Sequence, residues 1–310
     1  MDARSRLSRA LGTPRLFLRH ANRLYHRRCG LRSHDTAGDD PFDADWDTLV
    51  LLDGCRYDTF ARRADLPGTL ERRRSPAAST VEFLRAAVDG RDLRDTVYVT
   101  ANPQLRQHDD VEANFHTVVD VWREDGWDDE TGTVLPETMT AYAREAARDY
   151  PEKRLVVHYM QPHYPFVEAD TTFDKGHLDG SVGGENVWNR LLAGDVDVAP
   201  DEVRRFYAEN LDRALPHVAA LLDALDGRTV VTADHGNMLG ERSFPIPFRE
   251  WGHPRGIYTD ELVAVPWLVV EGDERRTITR GEQTADGERE GERADDAVVR
   301  ERLRDLGYAE

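Results

Sequence analysis

An α/β fold with a largely parallel central sheet and helices on both of its faces is what the sequence predicts, on three observations. Short apolar, β-branched runs alternate with stretches of helical spacing. Two of those runs stop abruptly at an acid, Asp53 after Leu52 and Asp234 after Ala233, and the carboxyl ends of strands are where open α/β sheets bind ligands. No internal repeat divides the 310 residues, a length that buries a sizeable core.

Composition narrows the function classes. Acidic residues number 59 against 41 basic ones, a formal charge of −18, and Lys153 and Lys175 are the only lysines. Such a surface fits a protein kept soluble at high salt by hydrated carboxylates, and stability that failed to rise with molar salt would refute that reading. A general nucleic-acid binder is excluded, since there is no basic excess to release counterions. Cys29 and Cys55 make neither a disulfide framework nor a zinc cluster. No run reaches the roughly 18 apolar residues of a membrane span, and the start lacks the apolar core of a signal peptide. The expected location is cytoplasmic, with peripheral contact at the inner membrane face as an extension.

The elements follow in order. Residues 1–34 hold nine arginines and one acid. Thr13-Pro14 fits a helix N-cap and first position, Gly30 a helix end, and Leu16, Phe17, Ala21 and Leu24 share one face. A basic amphipathic helix can lie on an anionic membrane; the alternatives are a solvated arm or a helix docked on the acidic body. Residues 35–45 read as a linker. Trp46 to Leu52 predicts a strand, and the following turn carries Asp53, a candidate metal ligand, and Arg56, whose planar donor fork suits an anionic substrate. Their structural alternatives are an N-cap and a surface ion pair.

Small residues and Pro76 precede helical spacing from Val81 to Val88, placing Ser79 and Thr80 near a helix start, where a hydroxyl is a cap or, once activated, a nucleophile. Thr96 to Thr100 and Val118 to Val121 predict strands. Between them His108, Asp109, Asp110 and His116 read as a solvated loop. Leu135 to Tyr150 predicts a helix and Leu155 to Met160 a strand in which His158, alternating with apolar neighbours, reads as structural. His163 lies just past it between Pro162 and Pro165, which stiffen its loop for substrate contact. Asp170 to Asp201 reads as a surface excursion. Glu202 to Leu225 predicts a long amphipathic helix, with a kink at Pro216, leading into the strand Thr229 to Ala233. Asp234 and His235 close that strand, a pair suited to zinc or manganese. Arg242 to Tyr258 reads as a loop holding His253. Val263 to Val270 reads as a strand near an edge because of Pro266, Glu271 to Asp296 as a flexible tail, and Val298 to Tyr308 as a short helix docking back.

Taken together, LLDGCRYD, SPAASTVEF, QPHYPF, VVTADHGNMLGE, WGHP and a strand with VP resemble, in this order, the alkaline phosphatase superfamily in its sulfatase-like and phosphoester-hydrolase branch. The closing VRERLRDLGYAE is similar to the end of sulfatase-like chains. The resemblance implies an alkaline-phosphatase-like three-layer sandwich over residues 35–271, preceded by the basic segment 1–34 and followed by a charged tail, 272–310. It implies Asp53, Asp234 and His235 as ligands of a catalytic metal, and Thr80, ahead of Ser79, as nucleophile and further ligand. His163 matches a substrate-contacting histidine and His253 one that binds metal or substrate. Val81, Glu82 and Phe83 depart from the family, which has a proline and then Ser or His there.

No Cys/Ser-x-Pro-x-Arg signature for formylglycine follows Cys29, Cys55 or Ser79, which disfavours a formylglycine sulfatase. The Asp-His pair implies zinc or manganese rather than the all-oxygen calcium site of sulfatases, with one or two ions bound. The expected activity is hydrolysis of phosphate esters, with sulfate esters as an extension, through a covalent threonine intermediate in which Arg56 and a histidine stabilise charge. Two alternatives stand beside it: a phosphoglycerol- or phosphoethanolamine-type transferase acting on a glycan or lipid at a membrane, and a degenerate binding module. The expected partner is a small-molecule or glycan- or lipid-linked ester.

Overall fold

The structure, a computed structural model, describes residues 14–171, 173–175, 186–281 and 296–306. Outside them lie the Thr13 cap, the middle of the 170–201 excursion, most of the expected tail, and Tyr308. The strands are β1 (Thr48–Leu52), β2 (Thr69–Arg74), β3 (Asp92–Thr100), β4 (Asn114–Asp120), β5 (Arg154–Tyr159), β6 (Arg228–Thr232), β7 (Met238–Arg242), β8 (Arg249–Gly252) and β9 (Ala264–Glu271). Seven of them form one sheet in the order β2-β9-β6-β1-β5-β3-β4, and β7 pairs with β8 in a small antiparallel sheet. β1 runs parallel to β5 and β6, and β3 to β4 and β5; β9 is antiparallel to both its neighbours. The helices are α1 (Pro14–His26), α2 (Tyr57–Arg63), α3 (Thr80–Phe83, continued as a π turn over Leu84–Val88), α4 (Gln104–Gln107), α5 (Pro136–Asp149), α6 (Val187–Ala193), α7 (Pro200–Leu222), α8 (Asp260–Val263) and α9 (Asp296–Asp305).

The predicted α/β class is the one observed, because every central strand feeds two cores. Val50 and Leu52 of β1 join Val157 of β5 and Val231 of β6 in a core with Met139 and Ala143 of α5 and Leu211, Leu215 and Val218 of α7. Leu49, Leu51, Val156 and Val230, of opposite parity, pack with Phe83, Leu84 and Ala87 on the other side. Side chains along a strand alternate between faces, so a fully buried strand sorts its residues in this way.

Several boundaries differ from expectation. β9 lies near an edge, as expected, but one strand in: β2, an exposed arginine-rich strand that periodicity did not mark, covers it. Pro266 is tolerated because the pairing of β9 with β6 reaches only from Glu271 to Leu268, leaving no partner on that side to receive the missing N–H. The 242–258 loop contains β8. α7 runs unbroken through Pro216. Residues 272–281, expected as flexible tail, lie along the body: Arg275 forks onto Asp45 and Asp47, and Thr279 bonds with Glu152 and Lys153. Arginine-rich tail residues find carboxylates on an acidic body. α9 docks by Val299 and Leu303 into the first core.

α1 lies on the body through polar residues and through Leu16 and Leu18, which pack against the cluster of Trp188, Leu191 and Trp251. Arg19 pairs with buried Glu250 at 2.6 Å and donates to Asn189 Oδ1 at 2.9 Å. The fully buried Asn22 side chain bonds to Ser243 Oγ and both accepts from and donates to Ile246. Phe17 and Tyr25 face outward, 67% and 56% exposed. Among the described residues no helix is long and apolar enough to cross a membrane.

Candidate metal centre and active site

Three strand ends converge. Asp53, one residue past β1, is fixed when its N–H donates to Tyr159 O at 3.0 Å. The chain then turns at Gly54, whose φ of +66° costs glycine nothing, and the Gly54 N–H donates to Asp234 Oδ1 at 3.0 Å. The His235 N–H donates to the same oxygen at 2.9 Å. At Gly236 a Cβ would lie 2.2 Å from Glu261 O, so only glycine lets the chain leave here. Asp53 continues the parity of Leu49 and Leu51, and Asp234 that of Val230, which aims both toward α3.

Thr80 meets them there. Ser75 Oγ donates to Asp234 O, tying the 75–79 loop under β6. The Thr80 hydroxyl donates to Asp234 Oδ2 at 2.7 Å, with Asp53 Oδ2 at 3.4 Å and His235 Nε2 at 3.3 Å. Asn102 Nδ2 donates to Asp53 Oδ2 at 2.7 Å. Asp53, Asp234 and His235 are fully buried and Thr80 nearly so.

The donor set fits a divalent cation. Two buried carboxylates facing each other need a countercharge, because burial and like charge both oppose ionisation. His235 Nδ1 stands 2.7 Å from Gly236 O, a carbonyl that accepts only from N–H, so Nδ1 carries a proton and Nε2 is the nitrogen that faces Asp53 and Asp234, 3.7 and 3.4 Å away. Anchoring one ring nitrogen on a carbonyl while the other ligates is the usual outer-shell arrangement of metal-bound histidine. His158 adds a further donor: its Nε2 makes no hydrogen bond among the described residues and lies 3.8 Å from both carboxylates. Asp53, His158 and Asp234 each offer a ligand atom, all within 4.8 Å of one another. Burial holds His158 down to about 4, hence neutral and able to ligate. Burial also works against the charged form of Asp234, while the hydrogen bonds it accepts from the Gly54 N–H and the Thr80 hydroxyl work for it, and its carboxyl lies below the usual range.

The other sequence candidates fall in three places. His163 is buried, with Nδ1 at 2.6 Å from Tyr164 O and Nε2 at 3.0 Å from His253 Nε2. His253 stacks on His235, ring centres 4.8 Å apart, and links the metal centre to His163. Burial lowers both, His163 to about 3. Ser79 is buried beside Thr80 and its Oγ has no hydrogen-bond partner among the described residues. Arg56 stands apart from Thr80: its guanidinium forks onto Asp58 at 2.8 and 3.0 Å and pairs with Glu241 at 2.7 Å.

Sequence reasoning passed over three groups. His158 shares the parity of Val156, the α3 side, and Tyr98 Oη holds its Nδ1 at 2.7 Å; following parity across the three strand ends would have found it. Asn102 lies two residues past the end of β3. On α7, Tyr207 and Asn210 sit one turn apart on the buried face. Tyr207 Oη donates to Gly54 O at 2.6 Å and accepts from Arg56 N at 2.9 Å. Asn210 Nδ2 holds the carbonyls of Pro162, His163 and Pro165. A single helix thus positions the Asp53 turn and the His163 loop, and polar residues on an apolar helix face were the available signal.

No family model matches the sequence, and no curated protein matches it significantly. Solved structures do. The lipooligosaccharide phosphoethanolamine transferase A of Neisseria meningitidis, an integral membrane protein, is similar at 13% identity and TM-score 0.44 over 73% of this chain. This chain covers 47% of that one, about half its length. The C-terminal periplasmic domain of EcEptC from Escherichia coli, in complex with Zn, is similar at 13% identity and TM-score 0.47, over 77% of this chain and 75% of that one. The phosphonate monoester hydrolase SpPMH from Silicibacter pomeroyi is similar at 12% identity and TM-score 0.38, over 84% and 72%. Likeness at this level leaves function to the geometry of the site itself. These neighbours are alkaline phosphatase superfamily members, the superfamily that the motif order from LLDGCRYD to WGHP resembles.

Proposed function

We propose that the chain is a metal-dependent hydrolase of phosphate esters that works through Thr80. The observation that carries this is one hydroxyl, Thr80 Oγ1, held 2.7 Å from Asp234 Oδ2 within a buried group of two carboxylates and two imidazoles. Asp53, Asp234, His235 and His158 would hold the ion, zinc or manganese by donor chemistry. Bound there, a divalent cation supplies Lewis acidity that lowers the pKa of a ligating hydroxyl. The chain's own residues do the rest. Asp234 accepts the Thr80 hydrogen bond and aims Oγ; Asn102 orients Asp53; neutral His253 and His163 border the position of the leaving oxygen. Thr80 Oγ loses its proton to solvent and forms a bond to phosphorus as the phosphorus–ester oxygen bond breaks; that oxygen takes a proton from solvent and leaves as an alcohol, and water then splits the Oγ–phosphorus bond to give inorganic phosphate and the free Thr80 hydroxyl.

The transferase reading differs only in the acceptor, a hydroxyl in place of water. The outward Phe17 and Tyr25 on the arginine-rich α1 support it, since they would bring the site to an anionic lipid surface on the inner membrane face. Co-sedimentation with vesicles containing anionic phospholipid, unchanged by Phe17→Ser, would remove that support.

The principal test is pre-steady-state hydrolysis of 4-nitrophenyl phosphate with manganese or zinc. A stoichiometric burst is expected, chelator-sensitive, with turnover reduced at least about a thousandfold in Thr80→Ala. A burst that survives Thr80→Ala, or disappears in Ser79→Ala alone, refutes the nucleophile assignment.

A further inference from the structure

A cavity of about 460 Å³ borders the site through Ser79, next to Thr80, and His253, whose ring lies against His235, and has Arg19, His20 and Arg23 of α1 on its wall. That is room for a glycerol- or sugar-sized group beyond the reacting phosphate. Its lining contains Arg19, Arg23, Arg255, His20, His108 and His253 and, among the described residues, no acid. In a chain with 59 acidic residues this is a local inversion of charge, and the other clefts described all include at least one carboxylate.

We propose that this cavity receives the part of the substrate that is not transferred, and that this part carries a negative charge of its own, a second phosphate or a carboxylate, flanked by hydroxyls. The inference rests on the phosphoester reading and deepens it. The charge of Arg19 is matched by Glu250, so Arg19 fixes α1 in place. Arg23 and Arg255 line the cavity beside it, and Arg255, 3.8 Å from the buried Glu82, is anchored by a carboxylate as Arg19 is. A cavity walled by cations focuses potential on an anion as a flat surface does not. The side-chain amides of Gln104, Gln107 and Asn189 in the same lining suit hydroxyl groups. Ser79 Oγ, buried next to Thr80 with no hydrogen-bond partner among the described residues, is positioned for the first oxygen beyond the scissile bond. Unpartnered buried hydroxyls are costly, and a ligand oxygen relieves that cost.

The test is binding to the manganese-loaded Thr80→Ala chain, followed by calorimetry with propyl phosphate and with 1,3-propanediol bisphosphate and 3-phosphonooxypropanoate. The doubly anionic ligands are expected to bind about tenfold or more tightly than propyl phosphate, the scale of one charge-assisted hydrogen bond, and the advantage should shrink with salt. Arg23→Gln and, independently, Arg255→Gln are expected to cut that advantage to about threefold or less. Preference for phosphate over carboxylate identifies the kind of second anion. Equal affinity for all three ligands, or an advantage untouched by both substitutions, overturns the proposal while leaving 4-nitrophenyl phosphate turnover to judge the phosphoester reading. An anionic advantage without turnover in the unsubstituted chain sinks that reading and keeps the anion site.

Discussion

The metal centre and the cavity beneath α1 share Ser79 and His253 yet are built in opposite ways. The centre is buried and acidic; Asp53, Asp234 and His158 sit on a strand or within two residues of its end, positioned by backbone bonds such as Asp53 N–H to Tyr159 O. The cavity is open, lacks acids among its described lining, and has one wall made by a helix held through Arg19 and Glu250. On the function proposed, chemistry that tolerates little displacement would stand on the rigid sheet, and recognition on an element that can vary without disturbing it.

If that division is real, the two regions respond separately to substitution. The largest effect is expected from Glu250→Gln. Glu250 is fully buried and removing its charge strands Arg19, so unfolding free energy should fall by about 3 kcal/mol or more. Cleavage in α1 should precede global unfolding while manganese affinity changes little; a parallel loss of metal affinity would show that the regions are one cooperative unit. Next comes His158→Phe, expected to weaken metal binding about 10- to 100-fold, a loss seen even when a ligand's outer partner is removed. Calorimetric titration with zinc that gives an unchanged affinity would return His158 to a structural role.

The smallest effect concerns pH. Burial lowers the pKa of His26 on α1, against the carbonyl of Phe244 and the charge of Asp35, which favour the imidazolium, while Arg74 adds to the lowering. A histidine depressed in the folded state contributes stability above its unfolded value near 6.5, lost as pH falls through the folded value. With His26 half-exposed, the loss should stay below about 1 kcal/mol after solvent screening. Protease sensitivity of α1 should therefore rise modestly below pH 6.5, and His26→Gln should flatten that profile; an unaltered profile assigns the pH response elsewhere.

Much of the site was legible because its residues are local. Strand, acid and glycine occur within a few positions at Leu52-Asp53-Gly54 and around Asp234-His235-Gly236, and a period of two aims them without reference to the rest of the chain. Arg56 was not legible: the same guanidinium fork suits a substrate phosphate or the carboxylates of Asp58 and Glu241, and which it meets depends on a residue 185 positions away. Pro266 marked a strand near an edge but gave no sign of β2 beyond it. A proline shows that an N–H is missing, not whether a neighbour ends before needing it.

By itself the sequence determined the α/β class, the strand-end acids, the hydroxyl at the start of α3 and the histidines of the two Pro-bounded loops, since each depends on period, turn chemistry or adjacency. Only the tertiary structure decided that His158 turns toward those acids, that Arg56 is committed to Asp58 and Glu241, and that α1 walls a cavity with no acid among its described lining residues. Those facts depend on which surfaces a folded chain brings together, and complementary partners far apart in sequence leave no periodic mark on it.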